Sequence, residues 1–170
     1  MKAFSARLGV LTLVTALVTG LSISADAAEK KKFKWSHTSR QTISETKSTP
    51  VADHEFVQGT YIEPIKTRSP EFDMIEARIF NQDDTVAGNG RHRGVEIDIF
   101  SNGDTAINNY EGTHKVVVKA GGAVEVTWEG RFEFVGGTGR FKNLKGQGTY
   151  RGRETEADGH IEEDEAEVTY

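Results

Sequence analysis

Between Thr127 and Gly152 the sequence reads TWEGRFEFVGGTGRFKNLKGQGTYRG, and no other stretch constrains the fold as strongly. Trp128, Phe132 and Phe134 keep one parity while Glu129, Arg131 and Glu133 take the other, a period of two that suits a strand and not a helix. Gly136-Gly137-Thr138-Gly139 interrupts the alternation and a polar, glycine-spaced run follows; the pattern predicts two long strands folded back on each other. Traced back through Val126 and Val124, the first strand is long for a flat sheet, and Gly130 gives it a place to bend. Long coiled strands with glycine corners are what closing a barrel requires.

The same period recurs along the chain. Phe33, Trp35, His37, Ser39, Gln41 and Ile43 alternate with Lys34, Ser36, Thr38, Arg40 and Thr42, so His37 and Gln41 are expected to point inward if the odd face does. Glu55–Ile65 sets Val57, Gly59 and Tyr61 against Phe56, Thr60 and Ile62, and Met74–Asn81 sets Ile75, Ala77 and Ile79 against Glu76 and Arg78. Lys47–Asp53 around Pro50 and Thr67–Phe72 around Pro70 read as loops. Gln82-Asp83-Asp84 reads as a turn signal, leading into a mobile loop or bulged strand as far as Gly94. Val95, Ile97 and Ile99 alternate with Glu96 and Asp98; Arg91 and Arg93 share the parity of Val95 and are expected to lean toward the interior with it. Asn102-Gly103 is a hairpin signal, since both residues accept positive φ. Ala120-Gly121-Gly122 marks a further turn, and Ala166, Val168 and Tyr170 alternate with Glu165 and Glu167 in a last strand placed to close the sheet against the first. No helical period appears after residue 27. The fold class is therefore all-β, a single antiparallel β-barrel of about eight strands.

Residues 1–27 have the form of a signal peptide. Lys2 and Arg7 precede an uncharged run from Leu8 to Ile23, and Ala25-Asp26-Ala27 places small residues at a cleavage site after Ala27. Residues 28–170 then form one exported β-barrel domain, periplasmic or secreted. Lys30-Lys31-Lys32 makes an uncleaved anchor the alternative, while cleavage leaves no stable membrane anchor. The chain has no cysteine, so neither lipid attachment nor a disulfide is available, and stability rests on the core and on strand pairing. The net charge of −5 argues against non-specific nucleic-acid binding. Glu29–Lys34 is expected to fray as a basic arm.

The run VGGTGRFKNLKGQGTYRG, Val135–Gly152, resembles the glycine-threonine-glycine hairpin of the allene oxide cyclase and dirigent barrels and of small exported bacterial proteins of that calycin-like barrel class. SNGDTAINNYEGT, Ser101–Thr113, is similar to the inner hairpin of those bacterial proteins. The resemblance implies that Gly136, Gly137, Thr138 and Gly139 form the turn and that Phe141 re-enters the sheet. It also implies cofactor-free cyclisation or isomerisation as the activity to weigh, an analogy from fold that assigns no catalytic position in this chain.

Reaction-specific motifs are missing. There is no cysteine nucleophile, no Gly-x-Ser-x-Gly elbow and no phosphate loop, because the GGTG run precedes a strand pattern rather than a helix. The five histidines, His37, His54, His92, His114 and His160, stand at no known ligand spacing, so no metal or cofactor is expected. Asp158, Glu162, Glu163 and Asp164 lack the spacing of a calcium loop and read as a solvated charged turn. The binding candidates are Trp35, His37, Tyr61, Arg93, Tyr110, Trp128 and Tyr150, which would line a barrel interior able to admit a small apolar or amphipathic molecule. If that molecule reacts, His37 or Tyr110 would move a proton and Arg93 would stabilise an oxyanion. Two alternatives stand beside this: the aromatics fill the barrel as ordinary core, or the chain is a structural or partner-binding envelope module. Oligomeric state has no signature here.

Overall fold

The computed structural model describes residues 29–66 and 70–170; the expected signal peptide lies outside them. Among the described residues nine strands follow one another: β1 (Lys31–His37), β2 (Gln41–Val51), β3 (His54–Pro64), β4 (Met74–Val86), β5 (Asn89–Phe100), β6 (Thr105–Val118), β7 (Val124–Gly137), β8 (Lys145–Thr155) and β9 (Gly159–Thr169). They form one antiparallel sheet in the order β1-β9-β8-β7-β6-β5-β4-β3-β2. All-β architecture holds, and β9 does pair with β1, Lys31 opposite Val168 and His37 opposite Glu162. The ladder itself does not close into a barrel, since β1 and β2 are its edges. One bridge, His37 to Ile65, and a hydrogen bond from Lys66 N to Ser36 O at 3.0 Å bring the end of β1 against the residues that follow β3.

The sheet is rolled about its inner face, because side chains from strands far apart in its order meet there. Trp35 of β1 lies 5.8 Å from Phe132 of β7, ring centre to ring centre, and 5.2 Å from Phe72. One end of the interior is apolar: Phe33, Trp35, Phe72, Met74, Phe100, Phe132, Phe134, Phe141, Leu144 and Val168 form its cluster. Removing this much aromatic surface from water is the main drive for rolling the sheet. Glycines let the inward rings lie flat against the sheet. A Cβ at Gly112 or Gly130 would run into the Tyr150 hydroxyl, and one at Gly152 would run into the Trp128 indole.

Several local expectations change. The odd-parity strand predicted across residues 33–43 breaks at 38–40 into β1 and β2, which gives nine strands and leaves Gln41 and Ile43 exposed. Lys31 to Lys34, expected to fray, pair with β9. The loop expected around Pro50 is instead the end of β2, with register shifts in its pairing to β3. Asp83 and Asp84 belong to β4. The turn lies at Ala87-Gly88, with φ of 51° and 74°, the doubly positive conformation of a tight hairpin. Gly136 and Gly137 end β7. Thr138 donates its N–H to Thr105 O at 2.8 Å, and Gly139–Phe141 form a 3₁₀ turn that buries Phe141 in the apolar end instead of returning it to the sheet.

Candidate functional site

The end of the interior away from the phenylalanines is ionic, and strand parity puts it there. On β9, His160, Glu162 and Asp164 share the parity of Ala166 and Val168, and all five are buried. On β5, His92, Glu96 and Asp98 share the parity of Phe100 and face inward, while Val95 is exposed. On β3 the inward row Gly59, Tyr61 and Glu63 finishes with a carboxylate that has no solvent exposure.

His37 is the hub. It is 1% exposed and holds a carboxylate on each ring nitrogen: Nδ1 pairs with Glu63, while Nε2 lies 3.2 Å from Glu162 Oε1 and 3.2 Å from Asp164 Oδ2. Glu63 is shared with Arg40, whose Nε donates to its Oε1 at 2.5 Å. Trp128 Nε1 donates to Glu162 Oε2. The Trp128 ring stacks on His160 at 4.7 Å with 20° between planes. Arg40 lies over Tyr61 at 4.7 Å and beside Trp128 at 6.0 Å, so its guanidinium spans from β3 to β7 with 32% of the side chain exposed. The Tyr61 hydroxyl donates to Glu45 Oε2 at 3.0 Å.

The charges settle against one another. Burial works against a charged His37, but Asp164, Glu162 and Glu63 outweigh it and hold its pKa well above the usual imidazole value. Burial would likewise raise Glu63; His160, His37 and Arg40 pull it well below the carboxylate range instead. Glu162 is lowered against its burial chiefly by His37. Asp164 is left without enough compensation, and burial pushes it up to about 7. Burial also pushes Asp98 up to about 6, and burial together with Asp98 and Asp164 pushes Glu96 well up. At neutral pH the hub thus holds two cations, His37 and Arg40, against ionised Glu63 and Glu162, with its surplus carboxyls wholly or partly protonated.

A second polar group is drawn from β4, β5, β6 and β8. The Tyr150 hydroxyl is 2.5 Å from His92 Nε2, His92 stacks on His114 at 5.9 Å, and His114 Nδ1 is 4.0 Å from Asp83 Oδ1. Burial and the neighbouring His114 push His92 down to about 4. The Tyr110 hydroxyl donates to Asn81 Oδ1 at 2.7 Å, and burial raises the phenols of Tyr61, Tyr110 and Tyr150, which stay protonated donors. Among the described residues, three sets of side chains hold candidate metal-ligand atoms within 4.8 Å of one another: His37–Glu63–His160, His37–Glu162–Asp164 and Asp83–His92–His114. On the outer face, grooves run across the strands between charged side chains such as Arg91, Glu111, Glu129 and Arg131.

Of the residues singled out by sequence, His37, Tyr61 and Trp128 come together at the hub, with Tyr110 and Tyr150 beside His92. Trp35 is buried in the apolar end. Arg93 is a correction: it is exposed on the outer face, its Nε turned to Gln82 Oε1 at 3.3 Å, because β5 buries its even positions and Val95 marks the outer row. It cannot serve as an interior oxyanion donor, and the guanidinium that reaches the hub is that of Arg40. The acidic tail is a second correction, since Glu162 and Asp164 are buried and only Asp158 and Glu163 face solvent. Arg40, Glu63 and His160 were missed. For His160 a signal existed: its parity with Ala166 and Val168 places it inside. No protein-family model matches the chain, and no curated protein matches its sequence.

Proposed function

We propose that the chain is an exported protein, periplasmic or secreted after loss of residues 1–27, whose rolled sheet acts as a calycin-like barrel of the allene oxide cyclase and dirigent type and binds a small amphipathic molecule at its ionic end. The observation that carries this reading is His160: it is buried under Trp128, and neither ring nitrogen has a hydrogen-bond partner among the described residues. Its nearest carboxylates, Glu63 at 3.6 Å and Glu154 at 3.9 Å, stand at ion-pair distance, which lets His160 lower Glu63 but is longer than a hydrogen bond. A buried imidazole left in that state is costly, and a ligand head group would supply the missing partner. Trp128 and Tyr61 offer the apolar walls, and the partly exposed Arg40 between them is the side chain that moves to admit the molecule.

Native mass spectrometry of protein purified from its own host tests this. The wild type is expected to retain a small molecule that a Trp128→Ala variant loses. A wild-type protein that carries nothing and takes up no amphipathic fluorophore contradicts the reading.

A second reading, a cofactor-free cyclase or isomerase, draws support from the His37 imidazole held between carboxylates, one of them near neutrality in pKa. Isomerisation leaves mass unchanged, so chromatography of the released molecule separates the two. The same compound from wild type and His37→Gln indicates binding alone, whereas a different isomer from the variant indicates turnover.

A further inference from the structure

We propose that Asp83, His92 and His114 form a binding site for one first-row transition dication of the zinc type, separate from the His37 hub. The three come from neighbouring strands and face the same side of the sheet. Asp83 on β4 is directly opposite His92 on β5, and His114 on β6 is opposite Gly90, one inward position from His92. Hydrogen-bonded strands hold their backbones fixed, so the set depends on side-chain rotamers alone. The candidate donor atoms lie within 4.8 Å of one another, with His114 Nδ1 and Asp83 Oδ1 at 4.0 Å. Metal–ligand bonds of about 2.0–2.2 Å therefore require a contraction that a small χ rotation provides.

The outer support for such a site is also in place. A metal-bound imidazole characteristically gives its other ring nitrogen to a fixed hydrogen-bond partner; with Nδ1 on the ion, His92 Nε2–H would donate to the Tyr150 hydroxyl oxygen, which stands 2.5 Å away. Tyr150 is itself fixed, lying flat over Gly112 and Gly130 where any Cβ would meet its hydroxyl. His92 is buried while the side chains of His114 and Asp83 keep 19% and 16% exposure, so an ion has a route in and open coordination positions toward solvent. Two imidazoles and a carboxylate select transition dications over calcium or magnesium, which take all-oxygen shells. The other two histidine–carboxylate sets suit a cation less well. Both pass through His37, which carboxylates engage on both ring nitrogens, and one includes Glu63, already paired with the Arg40 guanidinium at 2.5 Å.

The test is calorimetric titration of Zn²⁺ into the purified, chelator-stripped protein as its host processes it, with Co²⁺ absorption as a second readout of the ligand shell. One ion per chain is expected, with visible Co²⁺ bands. Asp83→Asn and His114→Ala should each weaken binding by about tenfold or more, and Tyr150→Phe by about tenfold, while far-UV circular dichroism shows the sheet intact. His160→Ala should leave the affinity unchanged. Wild-type protein that binds no Zn²⁺ overturns the proposal, and so does binding that survives Asp83→Asn and His114→Ala but is lost in His160→Ala, which places the ion at the hub.

Discussion

Asp164 shows how one side chain can couple this interior to pH. Its pKa rises to about 7 in the fold from about 3.9 in an unfolded chain, so the folded state holds that proton more tightly. Its contribution therefore favours folding at low pH and drains away as pH rises from about 4 through about 7. His37 acts in the same direction, since its raised pKa gives stability that is complete below about 6.5 and is lost as pH climbs through the folded value. Glu63 and Glu162 are lowered and oppose this only in acid, where their contribution disappears as pH falls below about 4.5. His92, pushed down to about 4, opposes the trend below about pH 6.5. The thermal midpoint is therefore expected to decline from about pH 6.5 toward pH 8, and Asp164→Asn should raise the midpoint at about pH 7 relative to that at about pH 4 by a few degrees. Melting curves between pH 4 and 8 check it. An unchanged slope in the variant would remove Asp164 from this role.

At the scale of strands, β5 shows what period-two reading delivers and where it stops. The alternation of Val95, Ile97 and Ile99 with Glu96 and Asp98 was legible, and the strand is there. Which face turns inward was not, because hydrophobicity favours the valine row while the roll buries the carboxylate row beside His37 and Asn108. Arg93 went to the wrong side for that reason alone. On β7 the apolar row is also the buried row, and Phe132 and Phe134 were placed correctly. The β4–β5 turn was hidden because Ala87 is an unusual residue at φ 51°, where an ordinary side chain costs about 1 kcal/mol. Ala87→Asn would create the Asn-Gly pair such hairpins prefer and should stabilise the protein by about 0.5–1 kcal/mol, read from the urea midpoint. A destabilised variant would contradict the turn geometry.

Over the whole molecule, the interior is divided between an apolar end and an ionic one, and the two differ in how far sequence reveals them. The aromatic residues of the apolar end announce themselves locally, whereas the hub joins β1, β3 and β9, and its His37–Glu162 contact spans 125 residues. Pairing already sets β1 beside β9, and the roll of the sheet brings Glu63 of β3 to them, with the His37–Ile65 bridge marking where its edges approach. A charged imidazolium enclosed by three carboxylates is therefore the signature of the fold and of the site at once. The most direct measurement is ¹⁵N-edited NMR of the histidine side chains across pH. One of the five histidines is expected to keep both ring nitrogens protonated well above pH 6.5 and to vanish from the spectrum in His37→Gln. Five rings that all titrate near the ordinary value of about 6.5 would contradict the rolled sheet and the buried hub together.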